Sequence, residues 1–243
     1  MRRLLTVLPW VACVLLLALL LGLGTWQLDR ATQKSRLLEA FEAARSSQPR
    51  PFDPTALAST TYQHVEARGR FLADRQYLLD NRTHAGRAGY HVLSVMVMAD
   101  ARHGLLVNRG WVPWGKYRGE LPDISIDPTI HTVHGLLAPV PGSGILLGET
   151  GHDGLGWPRV VQTVEPERIG AALGLVVLPR VLLLDPDGPG GYVREWAPTT
   201  AIGPDRHRAY ALQWFSLAAT LVVIVAVVAR RRRVGASSRG EST

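Results

Sequence analysis

Residues Ala209–Ala229 constrain this chain more than any other stretch. They form a run of 21 residues without a charged side chain, closed by four consecutive arginines, Arg230–Arg233. At about 1.5 Å of rise per residue, a helix of that length reaches about 31 Å, the thickness of a bilayer's hydrocarbon core. A second run, Leu4–Gly24, is nearly all Leu, Val and Ala apart from Thr6, Pro9 and Trp10. Arg2 and Arg3 precede it, as in a secretory signal. The run is about twice as long as a signal's apolar core, however, and no A-x-A-like site follows, the next residues being Thr25, Trp26 and Gln27. It is therefore expected to stay as an anchor.

Charge supports two spans. The formal net charge is +7, with 25 arginines and only two lysines, Lys34 and Lys116. Between residues 25 and 208, 20 basic side chains face 19 acidic ones, so the excess lies at the two ends. This is a topology signal, and no nucleic-acid partner is expected. The positive-inside rule places both termini in the cytoplasm and residues 25–208 on the far side of the membrane. Arg30, Lys34, Arg206 and Arg208 oppose that orientation, but Arg230–Arg233 is the denser cluster. No Arg/Ser-rich transit peptide precedes the first span, which favours a bacterial plasma membrane over a mitochondrion. The expected organisation is a cytoplasmic N-terminus (1–3), a first span (4–24), an extracytoplasmic β-rich domain with a leading helix (25–208), a second span (209–229) and a basic cytoplasmic tail (230–243). The polar part of that tail, 234–243, is expected to be disordered.

The only cysteine, Cys13, lies inside the first run. No disulfide within the chain and no CxxC exchange chemistry are available, and Met96 and Met98 are too few for a soft-metal relay.

Between the spans the pattern changes twice. Residues 29–45 carry helix formers with apolar Leu37, Leu38 and Phe41, and the prolines of Ser46–Pro54 end that helix. Strand patterns follow at Tyr62–Phe71, Gln76–Asp80, Tyr90–Met98, Leu105–Trp111, Ile130–Leu137, Arg159–Val164 and Arg180–Leu184, with turn-rich residues at Asn81–Gly89. Glu167–Leu173 reads as a short helix, with Pro166 near its start and Gly174 past its end. Residues 112–128 and 185–200 read as Pro/Gly-rich loops. The fold class is an α+β membrane protein, two transmembrane helices flanking a β-rich domain, for which a small barrel is one available form.

Catalytic signatures are scarce. There is no HExxH, GxSxG or Walker A motif. Gly142-Ser143-Gly144 lacks the strand–helix frame of a nucleophile, and the acidic residues show no acid/base pairing. His131 and His134 form an HxxH, but on a strand that spacing places them on opposite faces. An anchored hydrolase would need a nucleophile–base pair that the sequence does not supply. Asn108-Arg109-Gly110-Trp111 ends a strand with a polar pair. Its arginine either pairs with a core carboxylate or faces the membrane or a partner.

His207 is the sharpest candidate. His207, Tyr210 and Trp214 fall at i, i+3 and i+7 at the opening of the second span, on one helical face. A neutral imidazole can ligate haem iron and aromatics can pack on a porphyrin. The same residues can equally serve as an interfacial belt, as can Trp26 with a snorkelling Arg30 on the first helix.

Four segments in order resemble the Surfeit-locus cytochrome oxidase assembly factors (the Surf/Shy proteins), over nearly the whole chain. The first is G-x-W-Q-L-x-R at the end of the first span (Gly24, Trp26, Gln27, Leu28, Arg30). The second is N-R-x-x-x-G-x-x-G-Y (Asn81, Arg82, Gly86, Gly89, Tyr90). The third is L-V-N-R-G-W-V-P (Leu106–Pro113), and the fourth H-x-x-Y-A-x-Q-W-F (His207, Tyr210, Ala211, Gln213, Trp214, Phe215). The chain departs from the family where Arg206 and Arg208 flank the histidine, in place of the usual Asn and Leu. The resemblance implies a non-enzymatic biogenesis factor for haem-copper cytochrome c oxidase that aids insertion of haem a into the catalytic subunit. It implies haem contact at His207, with Trp26, Arg30, Tyr210, Gln213 and Trp214 as lining residues. Implied partners are the oxidase catalytic subunit, haem a synthase and membrane lipid. The alternative is an assembly scaffold that binds oxidase subunits without holding haem.

Overall fold

The computed structural model describes residues 2–55, 61–115, 120–141, 156–198 and 203–240, with side chains from residue 7 to residue 233. Gly142-Ser143-Gly144, Lys116 and His152 lie outside these residues. Two units divide the chain. Residues Met1–Glu39 and Thr199–Thr243 form one, and the continuous segment Ala40–Pro198 forms the other.

The first unit is built on two helices. α1 runs Arg2–Arg45 and α3 runs Pro204–Gly240. Each contains a window apolar enough to cross a membrane, and only 11% of either window is buried. A core helix of a soluble protein would be mostly covered, so this exposure suits lipid as the surrounding medium. The helices are antiparallel. The Gly24 backbone faces the Phe215 ring, Gln27 faces His207, and the Arg232 guanidinium lies 5.7 Å from the Trp10 ring centroid. The start of α1 and the later part of α3 are therefore at the same end of the pair. Residues 234–240, expected to be disordered, continue α3 as helix. They contain no proline, and extending an existing helix costs far less than nucleating one.

The second unit is a β-barrel. Its strands are β1 (Arg50–Pro51), β2 (Gln63–His84), β3 (Arg87–Met98), β4 (His103–Pro113), β5 (Ile130–Pro139), β6 (Arg159–Val161) and β7 (Val176–Leu184); the helix α2 spans Pro166–Leu173. Strand pairing runs β2–β3–β4–β7–β5 and returns to β2, closing the sheet on itself. Closure removes the open edges that a flat sheet would present.

The sequence suggested two strands where β2 is one. The break is a bulge between Phe71 and Gln76, where β2 changes partner from β5 (residues 63–70) to β6 (residues 77–79). A bulge bends a strand without ending it. The turn-rich stretch at 81–89 is likewise mostly strand. Ala85 (φ 47°) and Gly86 (φ 76°) form a two-residue hairpin between the paired residues His84 and Arg87. Two consecutive positive φ values mark the type I′ turn that matches strand twist. Gly89 serves a different purpose, since a Cβ there would come within 2.1 Å of the Val112 carbonyl oxygen. β7 begins four residues earlier than its apolar run suggested. Pro179 sits where β7 has extra residues against Gly104–Leu106 of β4, so its missing N–H breaks no ladder there.

Strands β3 and β4 are buried on both faces. Phe71, Met96, Leu105, Val107, Val133 and Leu182 fill one cluster. Val95, Leu106, Val161 and Ile169 of α2 fill another on the opposite face. Double-sided burial explains why Leu105–Trp111 reads as a continuous apolar run rather than an alternating one. α2 ends as its sequence suggested, with Gly174 in the left-handed conformation (φ 69°).

Among the described residues no carboxylate pairs with Arg109. Its residue is 3% exposed. Its nitrogens donate to the Gly190, Ile124 and Ser125 carbonyls and to Gln76 Oε1, at 2.7–3.2 Å. Neutral oxygens of the loops at 124–125 and 190 took the place that a core acid was expected to fill.

Candidate functional site

His207 sits in the first turn of α3 and is buried, 9% exposed. Its position on α3 aligns with Ala211 and Ala218, also buried, at i, i+4 and i+11. On α1 the buried positions Leu20, Gly24 and Ala31 form the complementary stripe. Small residues on both sides let two apolar helices approach, which is how membrane helices associate without a hydrophobic drive. Gly24 is the tightest point, because a Cβ there would meet Phe215 ring atoms at 2.6–2.9 Å.

Polar contacts join the two helices at the end of this seam. His207 Nδ1 lies 2.7 Å from Gln27 Oε1. An amide oxygen only accepts, so Nδ1 carries the hydrogen and Nε2 keeps a lone pair. A ring held by its second nitrogen is the usual arrangement for a ligating histidine, whose outer partner fixes tautomer and orientation. Beside it Arg208 donates to Asp205 Oδ1 (2.8 Å) on its own helix and to Ser35 Oγ (3.0 Å) on α1. That arginine, where the family pattern has Leu, thus ties the same two helices.

The remaining residues singled out from the sequence divide into two groups. Arg30 stacks over Trp26, its Cζ 5.7 Å from the ring centroid, and donates to Gln33 Oε1 at 3.0 Å. Trp26 and Tyr210 are half exposed (49% and 48%), and Gln213 is exposed. Trp214 is partly buried. Only Trp214 shares the buried stripe with His207. Tyr210 lies at the margin of that face and Gln213 well away from it, while Trp26 and Arg30 form their own pair on α1. Gln27 is the member that sequence reasoning passed over. It stood in the quoted W-Q-L segment, but helical periodicity relates residues of one helix and cannot pair a residue with one 180 positions away.

Within the barrel, the two other motif segments meet. Trp111 Nε1 donates to the Arg82 carbonyl (2.9 Å), and the Trp111 ring lies against Gly89. Asn108 Nδ2 donates to His91 Nδ1 (3.2 Å), and the Gly110 N–H donates to Asn108 Oδ1 (3.1 Å). Burial, with the Arg82 charge behind it, pushes the His91 imidazole from its ordinary 6.5 down to about 4. His131 and His134 fall on opposite faces of β5, as their spacing requires, and bond to the Asp127 carbonyl and to Glu66 respectively. Among the described residues no group of three or more His, Cys, Asp or Glu side chains is placed to hold a metal ion.

A pair of antiparallel apolar helices joined through an inserted closed barrel defines a class of membrane-anchored β-barrel proteins. Within that class the chain belongs to the SURF1 family, whose model matches residues 14–219. It is similar to a "SURF1-like protein" of Monosiga brevicollis, 38% identical over 38% of this chain and 40% of the relative. It is also similar to "Surfeit locus protein 1" of Takifugu rubripes, 30% identical over 41% of this chain and 48% of the relative. A third relative, the "Cytochrome oxidase assembly protein SHY1" of Saccharomyces cerevisiae, is 30% identical over 37% of this chain and 24% of its own length. In all three the match spans less than half of the relative's length.

Proposed function

We propose that this protein is a non-enzymatic assembly factor for a haem-copper cytochrome c oxidase, and that it holds haem a as cargo through His207. Family membership and the yeast relative's name as a cytochrome oxidase assembly protein support the assembly function. The observation that carries the haem contact is the His207–Gln27 bond, which orients the ring and leaves Nε2 able to ligate. The half-exposed Trp26 and Tyr210 offer aromatic faces at the same end of the helices, and Arg30 and Arg206 offer cations for a porphyrin's carboxylates. In this reading α1 and α3 span a bacterial plasma membrane with both termini cytoplasmic. The barrel lies outside, where it docks on the oxidase catalytic subunit or on haem a synthase.

The test is an absorption spectrum with a pyridine haemochrome assay on protein purified from cells that make haem a. The wild type is expected to carry haem a and His207→Ala to lose it. Gln27→Leu keeps the ligand but frees its ring, and is expected to weaken retention by about 10–100-fold. Haem a retained in His207→Ala would move the ligand elsewhere. A colourless wild type would leave the scaffold that binds oxidase subunits without haem, to be checked by co-purification of those subunits.

A further inference from the structure

Arg109 borders a pocket of about 250 Å³ in the barrel unit, and its lining includes none of the residues assigned to haem. Its walls are largely apolar, with Phe71, Ile126, Val133, Leu184 and Pro189 among the lining residues. Among the described lining residues the guanidinium is the only basic group that is always charged, and its residue is 3% exposed. Among the described residues its hydrogen-bond partners are neutral oxygens, and the Tyr192 side chain interacts with it as well. Nε donates to the Gly190 carbonyl at 2.7 Å. Nη1 donates to Gln76 Oε1 at 3.0 Å and the Ile124 carbonyl at 2.9 Å, with Ser94 Oγ at 3.5 Å. Nη2, with two hydrogens, has one carbonyl acceptor, Ser125, at 3.2 Å. The Tyr192 ring lies 5.1 Å from Cζ. Among the described residues no carboxylate pairs with Arg109.

Carbonyl dipoles satisfy the hydrogen bonds of a buried cation but leave its charge uncompensated. A full positive charge in an apolar pocket, with its outer nitrogen the least committed, is the chemistry that receives a planar anion. Two pocket residues limit the anion. Asp127 lines the same pocket, its carboxylate turned to the Thr129 N–H and hydroxyl at 2.9 Å, and His131 Nε2 donates to the Asp127 carbonyl, 2.9 Å away. A second negative charge on the ligand would be repelled, so a monoanion fits. The volume equals that of about eight waters at ~30 Å³ each, which suits a short aliphatic chain or one ring.

We propose that this pocket is a binding site for a carboxylate on a small apolar body, received at Nη2 of Arg109. The carboxylate comes from a free short acid or from the C-terminus of a peptide chain.

The full-length protein in non-ionic detergent tests this with hexanoate as probe and hexanol as its uncharged counterpart. Binding is read by equilibrium dialysis and by the thermal midpoint. Hexanoate is expected to bind saturably and to raise the midpoint with the logarithm of its concentration, and hexanol to do neither. Ile126→Trp fills the pocket while leaving Arg109 in place. It is expected to lower hexanoate affinity at least about tenfold without lowering the ligand-free midpoint, and Arg109→Gln to lower it similarly. A hexapeptide with a free C-terminus and its amidated form separate the two sources. Protection by the free form alone adds a chain end to the ligands, and protection by neither peptide restricts the site to small acids. Equal binding of hexanol, no saturable hexanoate binding, or full affinity in Ile126→Trp would each overturn the site. The Ile126→Trp arm decides the matter even if Arg109→Gln fails to fold.

Discussion

At the scale of single residues, the barrel keeps two conformational and electrostatic costs that substitutions can expose. Ala85 occupies a left-handed conformation (φ 47°) at the first central position of the hairpin turn. A Cβ there is unfavourable, while asparagine is the residue type I′ turns prefer. Ala85→Asn is expected to stabilise the protein by roughly 0.5–1 kcal/mol, measured as a higher urea midpoint with unchanged slope. An unchanged midpoint would mean that the turn carries no such strain.

His91 sets a pH dependence. Its folded value near 4 lies below the unfolded value of 6.5, so between those values the unfolded chain binds more protons. The contribution of a neutral His91 is complete above pH 6.5 and is lost as pH falls towards 4, on the order of 3 kcal/mol in all. The geometry agrees, because Asn108 donates to Nδ1 and a proton there would displace that bond. Denaturant unfolding at pH 7 and pH 4.5 should show a steeper loss in the wild type than in His91→Leu, and parallel losses would assign the acid sensitivity to other groups. His64 acts in the opposite sense. Burial opposes its charge, but the Ser47 carbonyl and the Asp185 carboxylate outweigh burial and raise its pKa. Its share is present below pH 6.5 and declines as pH rises through the folded value.

At the scale of elements, the helix pair depends on the absence of a side chain at Gly24. Any Cβ there meets the Phe215 ring closer than real contacts allow. Gly24→Ile is expected to weaken the pairing of α1 and α3 by about 1–3 kcal/mol, and Phe215→Ala, by vacating the space, to recover part of it. Unfolding midpoints in mixed detergent and dodecyl sulfate across the double-mutant cycle measure that coupling, and additive losses would show that the two residues do not meet. Much of this level was legible beforehand. Apolar length revealed both spans, and Pro166 and Gly174 bounded α2, because caps and runs are local signals. Features that needed a partner were not legible. The bulge at Phe71–Gln76 looked like a strand end, since only pairing with β5 and β6 shows the strand continuing. Pro179 hid the start of β7 for the same reason.

At the scale of the whole molecule, the candidate site was half visible. His207 stood out because an imidazole opening an apolar span is unusual on chemical grounds alone. Gln27 did not, because its importance comes from a contact made across the entire inserted barrel. Arg109 was visible as a polar residue closing an apolar strand, yet three of its partners proved to be backbone carbonyls, which leave no trace in side-chain chemistry.

The distance along the chain between Gln27 and His207 also has a meaning in time. The 180 residues separating them must be made before the contact can exist. At about 5–20 residues per second, α1 waits roughly 10–40 seconds on the ribosome for its partner helix. Throughout that interval the glutamine has no histidine partner. The barrel segment is complete before the second helix emerges, so the Gln27–His207 contact can form only after every strand of the barrel has been made.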